Sequence, residues 1–183
     1  MSIRSFAVQR AADLQGALTA IPDARSWLAC SLVFVIFVAC AGPIGLASGL
    51  LSPTTPHLTI ERVFSTAAIV FIQPALLEEV VFRGLLLPRN PRSVSRPRLV
   101  SVAVVALALY VLSHPINAML FRPGALHVFA NPVYLVLATL LGIACTAAYF
   151  ISKSLWPPVA IHWAAVLIWL WFLGGERLLT AAT

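Results

Sequence analysis

Charged residues are scarce in this sequence of 183 residues, of which they make up 10%, against about 25% in soluble domains. Hydrophobic residues make up 61%, where about 45–50% is usual. A single core of this size could not hide so much apolar surface from water. The composition therefore excludes an ordinary soluble domain and predicts a protein of the lipid bilayer.

Cysteine pairs and nucleic-acid motifs are also missing. The three cysteines all lie in apolar stretches and form no CxxC pair, which excludes a disulfide framework or a zinc ribbon. The net charge is +6, but no helix-turn-helix or aromatic-basic motif accompanies it, so we expect no nucleic-acid partner. Basic residues that flank membrane segments explain the charge better.

Five apolar stretches are present, each close to the ~20 residues that cross the hydrocarbon core of a bilayer. They cover residues 27–51, 63–87, 99–117, 132–151 and 156–173. The two-residue alternation of a membrane barrel is absent. We therefore expect an all-α, polytopic membrane helix bundle with about five transmembrane helices. Residues 1–26 would be a cytoplasmic or interfacial segment, 27–174 the membrane domain with its motif core at 63–174, and 175–183 a tail.

The N-terminal segment does not match a cleavable signal peptide, because its charges are spread out and the first apolar stretch is too long. Phe6, Leu14, Leu18 and Ile21 have a loosely helical spacing. This spacing fits a helix that lies on the membrane surface, and a frayed tail fits about equally well.

The basic residues predict an orientation. With five crossings and a cytoplasmic N-terminus, eight of them face the cytoplasm and three face outside, as the positive-inside rule requires. The inner set is Arg4, Arg10, Arg25, Arg89, Arg92, Arg96, Arg98 and Lys153, and the outer set is Arg62, Arg122 and Arg177. We expect the basic run at 89–98 to be a solvated loop, with binding of anionic lipid or RNA as the alternatives.

The residues that carry chemistry concentrate in the second stretch. Two of the six acidic residues, Glu78 and Glu79, are adjacent there. An ionisable residue inside a membrane helix costs about 3 kcal/mol or more, so it normally faces a cavity or a partner. Arg83 lies four residues after Glu79 and should pair with it. Glu78 keeps no counter-charge in its own helix, which suits a proton acceptor. Pro74, one turn earlier, is expected to kink the helix.

The same three residues have a purely structural interpretation, as a buried ion-pair cluster that only fixes helix packing. One arginine compensates only one of two carboxylates, which favours a functional site over this interpretation.

Two histidines lie in other apolar stretches. His114 precedes Pro115, which disfavours a helical predecessor, so His114 is expected near the C-terminus of the third helix. His162 is expected about one turn into the fifth helix, after the pair Pro157-Pro158. A single buried histidine is more often a satisfied core residue than a catalyst, but two histidines and two glutamates together indicate a polar site. His57 and His127 are expected in outer loops.

These residues resemble the CAAX-protease and bacteriocin-processing family (CPBP, also called Abi), the glutamic-type intramembrane proteases. Glu78-Glu79-Val-Val-Phe-Arg83 matches the EExxxR motif. Residues 110–114 match the FxxxH motif, with Tyr110 in the aromatic place. The third motif, a histidine followed four residues later by asparagine or aspartate, departs at Val166. The order and spacing are similar to the family over residues 63–174.

The resemblance implies hydrolysis of a peptide bond in a membrane-associated protein or peptide, without a cofactor or metal. It implies that Glu78 is the general base for a water molecule, which His114 and His162 position and whose oxyanion product they stabilise. Glu79 and Arg83 would be the supporting pair. The short chain is typical of a prokaryotic member in the cell (inner) membrane.

The departure at Val166 removes an amide that would be an oxyanion donor, and Asn117 is a candidate substitute. The depth of the residues is a second difficulty. At about 1.5 Å per helical residue, Glu78, His162 and His114 lie about 14, 9 and 24 Å from the cytoplasmic ends of their stretches. They meet only if the helices tilt or the third stretch begins deeper.

Three other functions stay open. A metalloprotease would use His114, His162 and a glutamate as zinc ligands, but no HExxH motif is present. A non-catalytic membrane binding or bacteriocin-immunity protein on the same scaffold is supported by Val166. A proton-linked transporter is disfavoured because paired broken repeats are absent.

Overall fold

The computed structural model describes residues 3–55 and 59–180, which are mainly helical and contain no strand. The helices are α1 (Ile3–Thr19), α2 (Ala24–Ala47), α3 (Ile60–Leu85), α4 (Arg96–Phe121), α5 (Pro132–Ser152), α6 (Trp156–Phe172) and α7 (Gly175–Thr180). Short helical turns occupy the loops at Pro91–Ser93, Pro123–Ala125 and Leu126–Phe129. His57 lies outside the described residues. The all-α membrane bundle predicted from the sequence is confirmed.

Among the described residues, the helices α2 to α5 are long and apolar enough to cross a membrane. The fifth apolar stretch forms α6, whose 17 residues span about 25 Å. Leu155, just before α6, donates its N–H to the Ala17 carbonyl at 3.1 Å, whereas Ser52 in the loop after α2 donates to the Leu173 carbonyl at 3.1 Å. Helix α6 therefore runs from one end of the bundle to the other. Five membrane crossings remain a prediction.

Helix α5 lies at the centre of the bundle and packs against α2, α4 and α6. Its buried face is rich in small residues, which let neighbouring helices approach closely. Cys30 of α2 and Ile161 of α6 meet this face in one apolar cluster. The small residues of the face are Ala138, Gly142, Ala144, Cys145 and Ala148.

Helix α1 packs on one end of the bundle through Leu14 and Leu18, whereas Ile21 is exposed and the side chain of Phe6 lies outside the described part of the structure. Ala17 is fully buried, and Leu14 and Leu18 pack beside it against Tyr149 and Leu155. The Trp156 indole N–H donates to the Leu18 carbonyl at 3.0 Å. This side of α1 thus covers protein, and the position of residues 1–26 relative to the membrane remains a prediction.

The loops divide between two ends as the basic residues predict. Arg89 donates from Nε to the Lys153 carbonyl at 3.0 Å, so the loops after α3 and α5 share the end that carries α1. Arg62 pairs with Glu176 at the opposite end. This grouping matches the predicted inner and outer sets, while the side that faces the cytoplasm remains a prediction.

Proline 115 does not end its helix, contrary to expectation. Helix α4 continues to Phe121, so His114 lies in the helix interior rather than near its C-terminus. The side chains of Ser113 and His114 both bond the Tyr110 carbonyl, at 2.7 and 2.9 Å. Pro115 has no N–H and therefore leaves the Val111 carbonyl without its usual helical donor, a loss that membrane helices tolerate.

Candidate active site

Helix α3 carries both carboxylates just after a kink. Gln73 has a non-helical backbone, with φ −135° and ψ 115°, directly before Pro74, so the kink predicted at this proline is present. Adjacent helical residues point about 100° apart. Glu78 and Glu79 therefore lie in different surroundings, and the two carboxylates can have different functions.

Glu79 is held inside the protein through one of its two carboxylate oxygens. Its side chain is completely buried, and its Oε1 accepts from Arg83 Nη1 at 3.0 Å and from His162 Nδ1 at 2.8 Å. Arg83 is also buried and donates from Nη2 to the Gly142 carbonyl of α5 at 2.8 Å. The predicted Glu79–Arg83 pairing is thus present, and it links three helices.

Glu78 faces the other nitrogen of the same imidazole. Its Oε2 lies 4.0 Å from His162 Nε2, and its side chain is 20% exposed. Because Glu79 can only accept, His162 Nδ1 is the donor of their bond, and Nε2 of the neutral ring then carries a lone pair. Two acceptors form no hydrogen bond with each other, and 4.0 Å would also be too long for a direct bond if one of them carried a proton. This spacing suits one water molecule that donates to both.

His114 reaches the same region through Tyr110. The Tyr110 ring lies edge-on to both imidazoles, with centroid distances of 4.9 Å to His114 and 6.0 Å to His162. His114 Nδ1 donates to the Tyr110 carbonyl, which leaves Nε2 of the neutral ring free to accept. The two predicted histidines therefore flank one aromatic ring, and Glu78 lies 4.0 Å from one of them, despite the unequal depths counted along the helices.

A metal site is a second reading of part of this cluster. Glu79, Cys145 and His162 bring three ligand-type atoms within 4.8 Å of one another, which no other trio does among the residues described. However, Glu79 Oε1 already accepts two hydrogen bonds. The Arg83 guanidinium 3.0 Å away would also repel a cation. The geometry favours a hydrogen-bonded carboxylate at this position.

The candidate Asn117 makes none of these contacts, nor does His127, which was expected in an outer loop. Asn117 is exposed on α4, and its amide makes no hydrogen bond with any residue that the structure describes. His127 is also exposed and bonds the nearby Gly124 carbonyl. Val166 lies one helical turn after His162 and offers no polar group.

Two residues of the site, Gly142 and Tyr134, were not predicted from the sequence. Gly142 supplies a carbonyl to Arg83, and a Cβ built on it would lie 3.0 Å from the Tyr110 ring. Tyr134 stacks edge-on to His114 at 5.5 Å. A glycine in the middle of an apolar helix was the available signal for the first, because it allows close helix contact.

The site residues fall within a match to a protein-family model. Residues 60–168 match the type II CAAX prenyl endopeptidase Rce1-like family, and this range includes all three motifs. The chain belongs to this family. The resemblance inferred from EExxxR and the two histidines is therefore confirmed, and it supports a membrane endopeptidase. No curated protein and no solved structure gives a significant match to the chain.

Proposed function

We propose that this chain is an intramembrane glutamic-type endopeptidase in which Glu78 is the general base. The observation that carries the proposal is that the two ring nitrogens of His162 face two different carboxylates. Its Nδ1 is anchored on the buried Glu79, and its Nε2 faces Glu78 Oε2 at 4.0 Å. A carboxylate without an ion-pair partner beside a fixed imidazole is the arrangement that activates water.

The reaction follows from these positions. A water molecule held between Glu78 Oε2 and His162 Nε2 transfers a proton to Glu78 as its oxygen attacks the scissile carbonyl carbon. The carbonyl electron pair moves onto oxygen and forms a tetrahedral oxyanion. When the C–N bond breaks, that pair restores the C=O bond, and Glu78 returns the proton to the leaving nitrogen. The products are a carboxylic acid and an amine.

The remaining residues hold this geometry. Arg83 and Glu79 fix His162, so they are positioning residues. His114 is anchored by the Tyr110 carbonyl, and its ring lies 4.9 Å from the Tyr110 ring. Fixed groups in a site shielded from water stabilise developing charge more strongly than they would in solution.

The test compares wild type with Glu78→Gln, which keeps the size of the side chain but cannot accept a proton from water at neutral pH. We expect normal membrane abundance and a fall in cleavage of about 100-fold or more, the scale of general-base contributions. Glu61→Gln is the matched control, because Glu61 is exposed in the first turn of the same helix. Its cleavage rate should equal that of wild type.

Two measurements read out cleavage. Quantitative membrane proteomics identifies a polypeptide that persists uncut only with Glu78→Gln. Purified protein is then given a quenched farnesylated peptide with a CAAX terminus and the same peptide without its lipid. The family name speaks of prenyl substrates, and a preference between the two peptides assigns the substrate class. An abundant Glu78→Gln protein with unchanged cleavage would refute the endopeptidase proposal.

Two alternatives predict different results. A zinc enzyme would lose activity in the presence of a strong chelator, whereas an enzyme with the proposed mechanism would keep its activity. A non-catalytic binding or bacteriocin-immunity protein is favoured by one observation, the apolar Val166 one turn after His162. It would give the same cleavage pattern and cellular phenotype with wild type and Glu78→Gln.

A further inference from the structure

The side chain of Tyr110 is held on several sides at the centre of the candidate site. Arg83 Cζ lies 4.6 Å from its ring centroid. The rings of Phe82, His114 and His162 approach it edge-on, at 5.4, 4.9 and 6.0 Å. These contacts fix the direction of the phenol C–O bond before any substrate binds.

The hydroxyl of this ring has no structural use among the residues described. Tyr110 is 1% exposed, and its Oη is buried without a hydrogen-bond partner there. The ring that carries this oxygen lies 6.0 Å from the His162 ring, whose Nε2 is 4.0 Å from Glu78 Oε2. A buried hydroxyl without a partner destabilises a protein, so such a group needs an explanation. Phenylalanine would make the same ring contacts without that cost.

The site has acceptors in excess and needs a donor. Glu78 Oε2 and Glu79 Oε2 are its other buried oxygens without partners in the described part of the chain, and both belong to carboxylates. A phenol is protonated at neutral pH, because its ordinary pKa is about 10. Tyr110 therefore brings a proton donor, in fixed orientation, to the region where the proposed water attack generates negative charge.

We propose that the Tyr110 O–H donates a hydrogen bond to the scissile carbonyl oxygen as this oxygen becomes the oxyanion. The inference rests on the proposed function and adds a catalytic residue to it. The hydroxyl transfers no proton and is unchanged at the end of the cycle. Its contribution is confined to the transition state, because the bond strengthens only as charge develops on the oxygen.

The experiment is Tyr110→Phe, which removes one oxygen atom and keeps the ring contacts and the backbone carbonyl that holds His114. Cleavage is followed with the polypeptide that wild type cuts and Glu78→Gln does not. We expect kcat to fall about 100-fold to 1,000-fold, the effect of losing one oxyanion donor, while KM changes less than about twofold. Thermal stability in detergent should not decrease, since a buried hydroxyl without a partner is removed.

Tyr149→Phe is the matched control. Tyr149 is also fully buried with a partnerless Oη in the described structure, but it packs in the cluster beneath α1. Its loss should leave kcat and KM unchanged. The dependence of kcat on pH separates two roles for Tyr110. An oxyanion donor leaves the acid limb of the profile in place, whereas a donor to the Glu78 carboxylate shifts that limb when it is removed.

The outcomes separate this inference from the proposed function. Activity of Tyr110→Phe within threefold of wild type, with Glu78→Gln inactive, refutes the role of Tyr110 and leaves the general base intact. A shifted acid limb with little loss of kcat also refutes it. An equal loss of kcat in Tyr110→Phe and Tyr149→Phe would assign both effects to packing. No difference between wild type and Glu78→Gln refutes both proposals.

Discussion

Removal of Arg83 should damage the protein mainly by isolating Glu79. In Arg83→Ala, the fully buried Glu79 carboxylate keeps only the bond from His162 Nδ1. Breaking a buried pair in this way costs about 3–5 kcal/mol. The Gly142 carbonyl also loses its bond to Arg83, but as part of a helix it retains a backbone partner. At about 2–4 °C per kcal/mol for a chain of this size, the melting temperature should fall by about 6–20 °C.

Replacing both members of the pair should be milder. In the double variant Glu79→Leu with Arg83→Leu, no charge is left buried, and apolar replacement of a buried pair is often close to neutral. His162 Nδ1 then loses its acceptor, which costs about 1–3 kcal/mol. The double variant should therefore recover about 2 kcal/mol relative to Arg83→Ala, or about 4–8 °C.

The assay is thermal unfolding in detergent, followed by the fluorescence of the five tryptophans, together with abundance in membranes. Arg62→Ala is the control, since it breaks an exposed pair with Glu176 at the far end of α3. That pair should contribute at most about 1 kcal/mol. A double variant as unstable as Arg83→Ala would show that the charge left on Glu79 is not the cause.

Three further predictions follow from other parts of the structure. Gly142→Ala should lower both stability and cleavage, because the new Cβ would lie 2.5 Å from a leucine methyl of α4. Such overpacking costs about 1–3 kcal/mol. Gly42→Ala is the control and should change neither quantity, because open space surrounds Gly42. In a variant without the native cysteines, an impermeant thiol reagent on intact cells should label His127→Cys and not Ser95→Cys, and the reverse pattern would overturn the orientation. Ala17→Glu should release α1, since this residue is fully buried, and limited proteolysis within residues 1–20 should become faster than in wild type.

The local features of the fold could be predicted from the sequence. Composition and the length of an apolar run identify a membrane helix, because each segment must match the hydrocarbon core of the bilayer whatever its neighbours are. The spacing of four residues predicts the Glu79–Arg83 pair because it lies within a single helix. The kink at Pro74 has the same local origin. Features that depend on one element are thus accessible without any knowledge of packing.

Features that depend on two helices were not accessible. The meeting of His114 and His162 depends on how α4 and α6 lie against each other, because both imidazoles contact the ring of Tyr110. The docking of α1 depends on backbone and indole groups near Leu155 and Trp156. Counting residues along each helix measures distance from its own end, and it carries no information on how helices are offset or tilted against one another.

The adjacency of the two glutamates has a physical reason in the geometry of one imidazole. The two nitrogens of the His162 ring point in different directions, and the directions of Glu78 and Glu79 on α3 also differ, by about 100°. One ring can therefore meet both carboxylates at once, with Nδ1 on Glu79 at 2.8 Å and Nε2 facing Glu78 at 4.0 Å. Because Arg83 neutralises Glu79, that carboxylate can orient the ring without competing for the proton of water. A spacing of three or four residues would place both acids on one face, where they would repel each other and share the same arginine. The pair of acids thus separates the group that fixes the histidine from the group that accepts the proton.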